Sequence, residues 1–148
     1  EILEGPINKS ATIMSWRGIS PGVEAASKGH DVIMTPNSHL YFDYYQTEGR
    51  NGGPILIGGY VPLEKVYSLN PIPDDIPADL RSHIIGVQAN LWTEYIAYTS
   101  IVEYQVLPRM AALAEVQWTS AAKDYPDFLS RLSRLRELYG IYGYNVAK

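Results

Sequence analysis

Gly86 to Glu94 reads G-V-Q-A-N-L-W-T-E, and the apolar pair Ile84 and Ile85 precedes it. With a period of two the segment is a short, mostly apolar strand, in which Trp92 and Glu94 project to one side at the C-terminal end. An aromatic plate covers the C–H face of a pyranose ring, and a nearby carboxylate accepts charge-assisted hydrogen bonds from its hydroxyls. A core tryptophan beside a surface glutamate would read the same way on this segment alone.

Working back toward the N-terminus, Ala11 to Trp16 (A-T-I-M-S-W) predicts a strand, and R-G-I-S-P-G a turn. Ser20 is expected to cap a short helix with Pro21 in its first turn, running through Val23, Ala25 and Ala26 to Gly29. Asp31 to Thr35 (D-V-I-M-T) predicts a second strand, apolar on both faces. Strand, helix and strand in so few residues make a βαβ unit, and hence an α/β fold with a buried parallel sheet. An aromatic loop, N-S-H-L-Y-F-D-Y-Y-Q, follows Pro36. Thr47 to Asp79 is rich in Gly and Pro, with a helical turn or two expected only over Pro62 to Leu69.

Toward the C-terminus, Ser100 and Glu103 suggest a capping box opening one helix through Trp118, which Pro108 should bend. A last helix is expected to start after Asp124, with Pro126 in its first turn, and to end at Gly140. Arg131, Arg134 and Arg136 read as its solvated face.

Composition narrows the function classes. A chain of 148 residues is the size of one domain, and 46% hydrophobic with 19% charged residues is incompatible with overall disorder. A net charge of −4 argues against nucleic-acid binding and against a polybasic membrane contact. Without cysteine there are neither disulfides nor Cys-ligated zinc. His30, His39 and His83 show no helical ligand spacing, so neither metal nor cofactor is expected. The 12 Tyr and 3 Trp against 2 Phe favour surfaces half apolar and half wet, as in a carbohydrate groove or a protein interface. Each predicted strand delivers polar or aromatic residues near its C-terminal end: Trp16 and Arg17, then Tyr41 and Asp43, then Trp92 and Glu94. In parallel α/β folds sites are built at those ends. Arg17 follows Trp16 and would point away from it on an ideal strand, which favours a structural ion pair.

Five blocks carry a family resemblance: M-S-W-R-G (Met14 to Gly18), G-H-D-V-I-M-T-P (Gly29 to Pro36), Y-F-D-Y-Y-Q (Tyr41 to Gln46), G-V-Q-A-N-L-W-T-E (Gly86 to Glu94) and P-R-M-A-A-L-A-E-V-Q-W (Pro108 to Trp118). In this order they closely resemble the C-terminal part of the catalytic domain of family 20 glycoside hydrolases, the β-N-acetylhexosaminidases. The resemblance implies a partial TIM (β/α)8 barrel, whose sixth to eighth strands would be the three here. Residues 1–118 would form family-like βα units and 119–148 a C-terminal helix and tail. Glu1 would end the W-D-E sequence of the fifth strand, so that the chain would be a fragment of the barrel.

The family removes terminal N-acetylglucosamine or N-acetylgalactosamine with retention, using the substrate's own acetamido oxygen as nucleophile. By resemblance Tyr41 would donate to that oxygen, Trp16 and Trp92 would wall the pocket, and Asp43 and Glu94 would bind the outer sugar hydroxyls. The family's adjacent Asp-Glu pair, which orients the acetamide and protonates the leaving oxygen, has no counterpart, since no D-E sequence occurs. The isolated chain is therefore expected to be inactive. The partners implied are N-acetylhexosaminide glycans and the remainder of the barrel, and family habit implies export of the parent protein. Three strands cannot close a barrel, so the isolated chain is expected to self-associate. Two other readings stay open: a non-catalytic N-acetyl-sugar-binding module derived from the same barrel, and an ordinary retaining glycosidase using Asp43 and Glu94 as its carboxylate pair.

Overall fold

A computed structural model describes residues 2–48 and 53–148, and the chain divides into two compact units. Glu1, where the W-D-E match would end, and residues 49–52 of the first Gly-rich breaker lie outside the described residues.

The first unit comprises residues 1–40 and 70–88. After a 3-10 turn at Ile2–Glu4, β1 (Ile13–Ser15), α1 (Ser20–Ser27), β2 (Val32–Met34) and the one-turn α2 (Asn37–Leu40) follow in order. A 3-10 segment at Ala78–His83 then leads into β3 (Ile84–Val87). All three strands are parallel in the order β1-β2-β3, with Ile13, Val32 and Ile84 in register. This is the α/β arrangement that the two apolar runs predicted. The strands are shorter than expected because each pairs only over its apolar centre.

One face of the sheet packs Ile13, Val32, Met34 and Ile84 against Ala25 and Ala26 of α1 and against Ile76. Small residues on α1 are what let it approach: a Cβ on Gly22 would come within 2.7 Å of the Met34 side chain. Ser20 does not cap this helix. Ile19 occupies the N-cap position, no side chain caps the end, and Pro21 fits the first turn, where its missing N–H costs nothing. On the opposite sheet face Met14 and Ile85 are 44% and 54% exposed.

The second unit comprises residues 41–69 and 89–148. It holds α3 (Leu63–Ser68), α4 (Thr99–Val106), α5 (Arg109–Trp118) and α6 (Tyr125–Ile141). The single helix expected over Ser100 to Trp118 is two helices. Pro108 lacks the N–H that would bond Tyr104 O, and the ladder stops rather than bending. Nor is there a capping box: α4 starts after Tyr98 without a side-chain cap, and Glu103 Oε2 instead accepts from Asn145 N at 2.9 Å.

Asp124 caps α6 through the Asp127 N–H at 3.0 Å. Tyr67 Oη accepts from Asp124 N at 2.9 Å, and its ring stacks on Phe128 at 4.8 Å, so α3 and the start of α6 are fixed together. Gly140 does not end α6, which continues to Ile141; the left-handed residue that follows is Gly143, at φ +72°. Arg131 is not simply solvated, because its two Nη atoms grip Glu115 at 2.5 and 2.9 Å.

Gly59 has φ +71°, and a Cβ there would lie 2.3 Å from the Tyr44 ring. Gly59→Ala should therefore cost about 1–3 kcal/mol through overpacking and strain, read as a lowered thermal midpoint. The exposed Met14 and Ile85 face should make the isolated chain self-associate. Light scattering that shows a monomer at high concentration would contradict this.

Candidate functional site

The second unit brings four of the predicted site residues together. Tyr41 forms an isolated parallel bridge with Asn90, and Phe42 N donates to Asn90 O at 2.7 Å. This pairing sets the Y-F-D-Y segment alongside A-N-L-W-T-E, with Tyr41 at Asn90 and the Asp43 carboxyl within reach of the Trp92 backbone and the Glu94 charge. A backbone turn closed by Tyr44 N to Tyr41 O at 3.2 Å holds the two aromatic rings 5.5 Å apart.

The predicted strand through Glu94 is not formed. Pairing ends at Val87, the chain stays irregular apart from the Asn90 bridge, and a turn closed by Ile96 N to Thr93 O at 3.0 Å carries Glu94. Trp92 and Glu94 thus owe their position to a loop and not to strand alternation. Trp92 is 53% exposed, Glu94 is exposed, and Tyr41 is half-buried.

Asp43 differs from all three. It is only 5% exposed, and its Oδ1 has no hydrogen-bond partner. Burial pushes its carboxyl above the ordinary aspartate range. The backbone N–H groups of Asp43 itself and Trp92 pull it back, Glu94 pushes it up and Arg109 pulls it down. A buried acceptor left open in a native fold calls for a ligand, a proton or a functional reason.

Beneath this cluster lies a fully buried guanidinium. Arg109 Nη1 donates to Tyr44 O at 3.2 Å and Val61 O at 2.9 Å; Nη2 donates to Phe42 O, and to Gln105 O at 2.6 Å. Nε also reaches Gln105 O at 3.1 Å, and the guanidinium carbon sits 4.7 Å from the centre of the Phe42 ring. Burial pulls the group down to about 9, while Asp43 and Tyr104 pull it back up, so it stays cationic at neutral pH.

Gln105, equally buried, donates to Phe42 O at 2.8 Å and Tyr44 O at 3.2 Å. Gln46 Nε2 donates to Tyr104 O, the carbonyl orphaned by Pro108. None of these roles is in the sequence reading, although one signal was present: a polar pair at i and i+4 with a charge just after Pro108, inside an otherwise apolar helix pattern.

Trp16 and Arg17 belong to the first unit. Trp16 is 38% exposed, and its carbonyl accepts from Asn37 N at 2.8 Å beyond the ends of β1 and β2. The two side chains do not point apart. The Arg17 guanidinium carbon lies 5.0 Å from the Trp16 ring centre, because the strand has ended at Ser15 and ideal alternation no longer applies. Both help line a cleft of about 170 Å³ with Ile2, Leu3 and Met14.

The histidines are engaged locally. His30 Nδ1 meets Ala11 O at 3.2 Å, His39 Nδ1 meets Ser38 Oγ at 2.8 Å, and His83 Nδ1 meets Asp31 Oδ1 at 3.1 Å. Among the described residues no cluster of three or more His, Cys, Asp or Glu could hold a metal ion, and no helix is long and apolar enough to cross a membrane.

Comparison with known proteins places the chain. Residues 1–121 match the model of the glycosyl hydrolase family 20 catalytic domain. A beta-hexosaminidase of Porphyromonas gingivalis is 48% identical over 147 residues, covering 98% of this chain and 19% of that protein. A beta-N-acetylhexosaminidase of Cellulomonas fimi is 31% identical, over 90% of this chain and 27% of its own length. Among solved structures, a family 20 exo-beta-N-acetylglucosaminidase of Vibrio harveyi in complex with N-acetylglucosamine superposes with a TM-score of 0.84 at 34% identity, covering 96% of this chain and 22% of that one.

The fold is thus that of a part of a family 20 TIM-barrel enzyme, and the chain belongs to the glycosyl hydrolase family 20 catalytic domain. It spans about a fifth to a quarter of the length of these relatives.

Two measurements follow from the buried pair. Arg109→Ala leaves Asp43 without its buried counter-charge and several carbonyls without a donor, and should destabilise the protein by about 3–5 kcal/mol in denaturant titration. For Asp43 the folded state binds its proton more tightly than the unfolded state. Its contribution to stability therefore falls as pH rises from the ordinary aspartate range up to the raised folded value. Asp43→Asn should remove that slope from a stability-versus-pH profile.

Proposed function

We propose that this chain supplies part of the sugar-binding wall of a β-N-acetylhexosaminidase, a glycosidase that removes terminal N-acetylglucosamine or N-acetylgalactosamine by substrate-assisted, retaining hydrolysis. The observation that carries the reading is the open oxygen of Asp43: a buried carboxylate atom without a protein partner, with the Trp92 backbone and the Glu94 charge acting on the same carboxyl and Tyr41 two positions earlier in the segment. A sugar offers each of them what it lacks. Hydroxyls donate to the carboxylates, the ring's C–H face covers Trp92, and an acetamido oxygen accepts from Tyr41. The names of the relatives support the same substrate class.

Within this reading the chain's residues bind and orient. Tyr41 donates a hydrogen bond to the acetamido oxygen and so helps to hold it near the anomeric carbon, where it attacks as the glycosidic bond breaks. Asp43 and Glu94 anchor the outer hydroxyls, and Trp92 walls the sugar; Trp16, in the first unit, keeps its wall role only as what the family resemblance implies. Proton donation to the leaving oxygen needs an acid that this chain does not carry, since it has no Asp-Glu pair. The chain alone should therefore not turn over an aryl N-acetylglucosaminide.

The test is mutagenesis in the full-length gene product with such a substrate. Asp43→Ala removes a charged acceptor from a dry position and should lower kcat/KM by about 1.5–3 kcal/mol, roughly ten- to a hundredfold. Glu94→Gln, at an exposed position, should cost less. Turnover by the isolated chain that Glu94→Gln abolishes would instead favour a carboxylate pair within it. Wild-type kcat/KM in the Asp43→Ala enzyme would remove the sugar-wall reading.

A further inference from the structure

Two buried side chains, Gln105 and Arg109, hold the backbone of the segment that carries Tyr41 and Asp43. Asp43 is flanked by Phe42 and Tyr44, and both of their carbonyls are gripped twice. Phe42 O accepts from Gln105 Nε2 at 2.8 Å and from Arg109 Nη2; Tyr44 O accepts from Gln105 Nε2 at 3.2 Å and from Arg109 Nη1 at 3.2 Å. A carbonyl has two lone pairs, so this acceptor capacity is used up.

Gln105 and Arg109 come from opposite sides of the break at Pro108, the first near the end of α4 and the second at the start of α5. The guanidinium also closes the break itself by taking Gln105 O. Both side chains are fully buried. The Phe42 carbonyl lies in the peptide unit just before Asp43, the unit just after it is held by Tyr44 N donating to Tyr41 O at 3.2 Å, and the Tyr44 carbonyl lies in the next one. The backbone around Asp43 is thus pinned before and after it, and Tyr41 is tied into the same turn.

We infer that Gln105 and Arg109 form a positioning clamp for the sugar site, with the doubly held carbonyls of Phe42 and Tyr44 setting where the Asp43 carboxylate and the Tyr41 hydroxyl meet the substrate. This rests on the reading of Asp43 and Tyr41 as sugar contacts. One donor on each carbonyl would satisfy hydrogen bonding. A second donor from a different side chain resists rotation of the peptide plane, and a site whose acceptor must sit within a fraction of an ångström of a hydroxyl needs that resistance.

Arg109→Ala is a poor test, because it is expected to unfold the region. Gln105→Met is the better one: it keeps the side chain's length, leaves Arg109 to satisfy both carbonyls, and removes a buried Oε1 that has no partner. The enzyme tested is the full-length gene product. The readouts are thermal midpoint, kcat/KM with an aryl N-acetylglucosaminide, and inhibition by N-acetylglucosamine compared with its 4-deoxy and 6-deoxy analogues.

Gln105→Met should keep a near-normal midpoint, lose about ten- to a hundredfold in kcat/KM, the scale of a ~1 Å misplacement, and discriminate less between the sugar and its deoxy analogues. A purely structural role would move the midpoint and leave that discrimination at the wild-type ratio, which would overturn the clamp. Asp43→Ala serves as the reference. If it loses discrimination and Gln105→Met does not, the clamp alone is wrong; if Asp43→Ala keeps discrimination, the sugar contact is wrong and the clamp falls with it.

Discussion

A cation withdrawn from water has to be met by oxygen, and in the second unit that requirement falls on the guanidinium of Arg109. Four backbone carbonyls answer it, from Phe42, Tyr44, Val61 and Gln105, with Asp43 supplying the opposite charge. Left unmet, burying such a charge would cost several kcal/mol. The carbonyls in turn belong to segments with little regular structure of their own, so the same contacts that satisfy the cation give the 42–44 and 61 loops their shape. The break before α5 is what makes this possible: Pro108 ends the ladder of α4, and Arg109, as first residue of the next helix, turns inward where a continuous helix would have fixed its direction by helical periodicity.

At Asp43 burial is not matched by hydrogen bonding. A fold selected for stability alone would give both carboxylate oxygens donors or expose them; here one oxygen is buried and open, and burial raises the group's proton affinity. Strained or unsatisfied polar groups of this kind concentrate at functional sites. The surrounding chemistry is graded to match: Tyr41 is half-buried, and Trp92 and Glu94 are exposed. That gradient, from a dry acceptor to a wet aromatic rim, is what a sugar with one buried edge and one solvent-facing edge would meet.

Much of this was legible from residue order, and the misses have physical causes. The apolar runs V-I-M and I-M-S predicted parallel strands, which form; the burial expected on both faces holds on one, since Met14 and Ile85 on the other are exposed. The Asp124 cap and the short helix at Leu63–Ser68 were likewise local signals, readable where they act. The end of β3 was not local. Strand alternation in Q-A-N-L-W-T-E continues on paper to Glu94, but pairing stops at Val87, because a strand exists only where a neighbour offers hydrogen bonds.

Arg109 was hidden for the complementary reason. Its carbonyl partners at Phe42, Tyr44 and Val61 lie 48 to 67 positions away, and no periodicity in the chain encodes who will solvate a buried charge. Tyr41, Asp43, Trp92 and Glu94 were readable as candidates by residue type, whereas the loop that carries Trp92 and Glu94 and the Gln105 and Arg109 network were not. The most direct measurement is a crystal structure of the full-length gene product with N-acetylglucosamine bound. The account predicts a sugar hydroxyl at hydrogen-bond distance, about 2.5–3.0 Å, from Asp43 Oδ1, with Trp92 against the ring. A sugar bound elsewhere, or an Asp43 Oδ1 taken by another protein group in that complex, would contradict it.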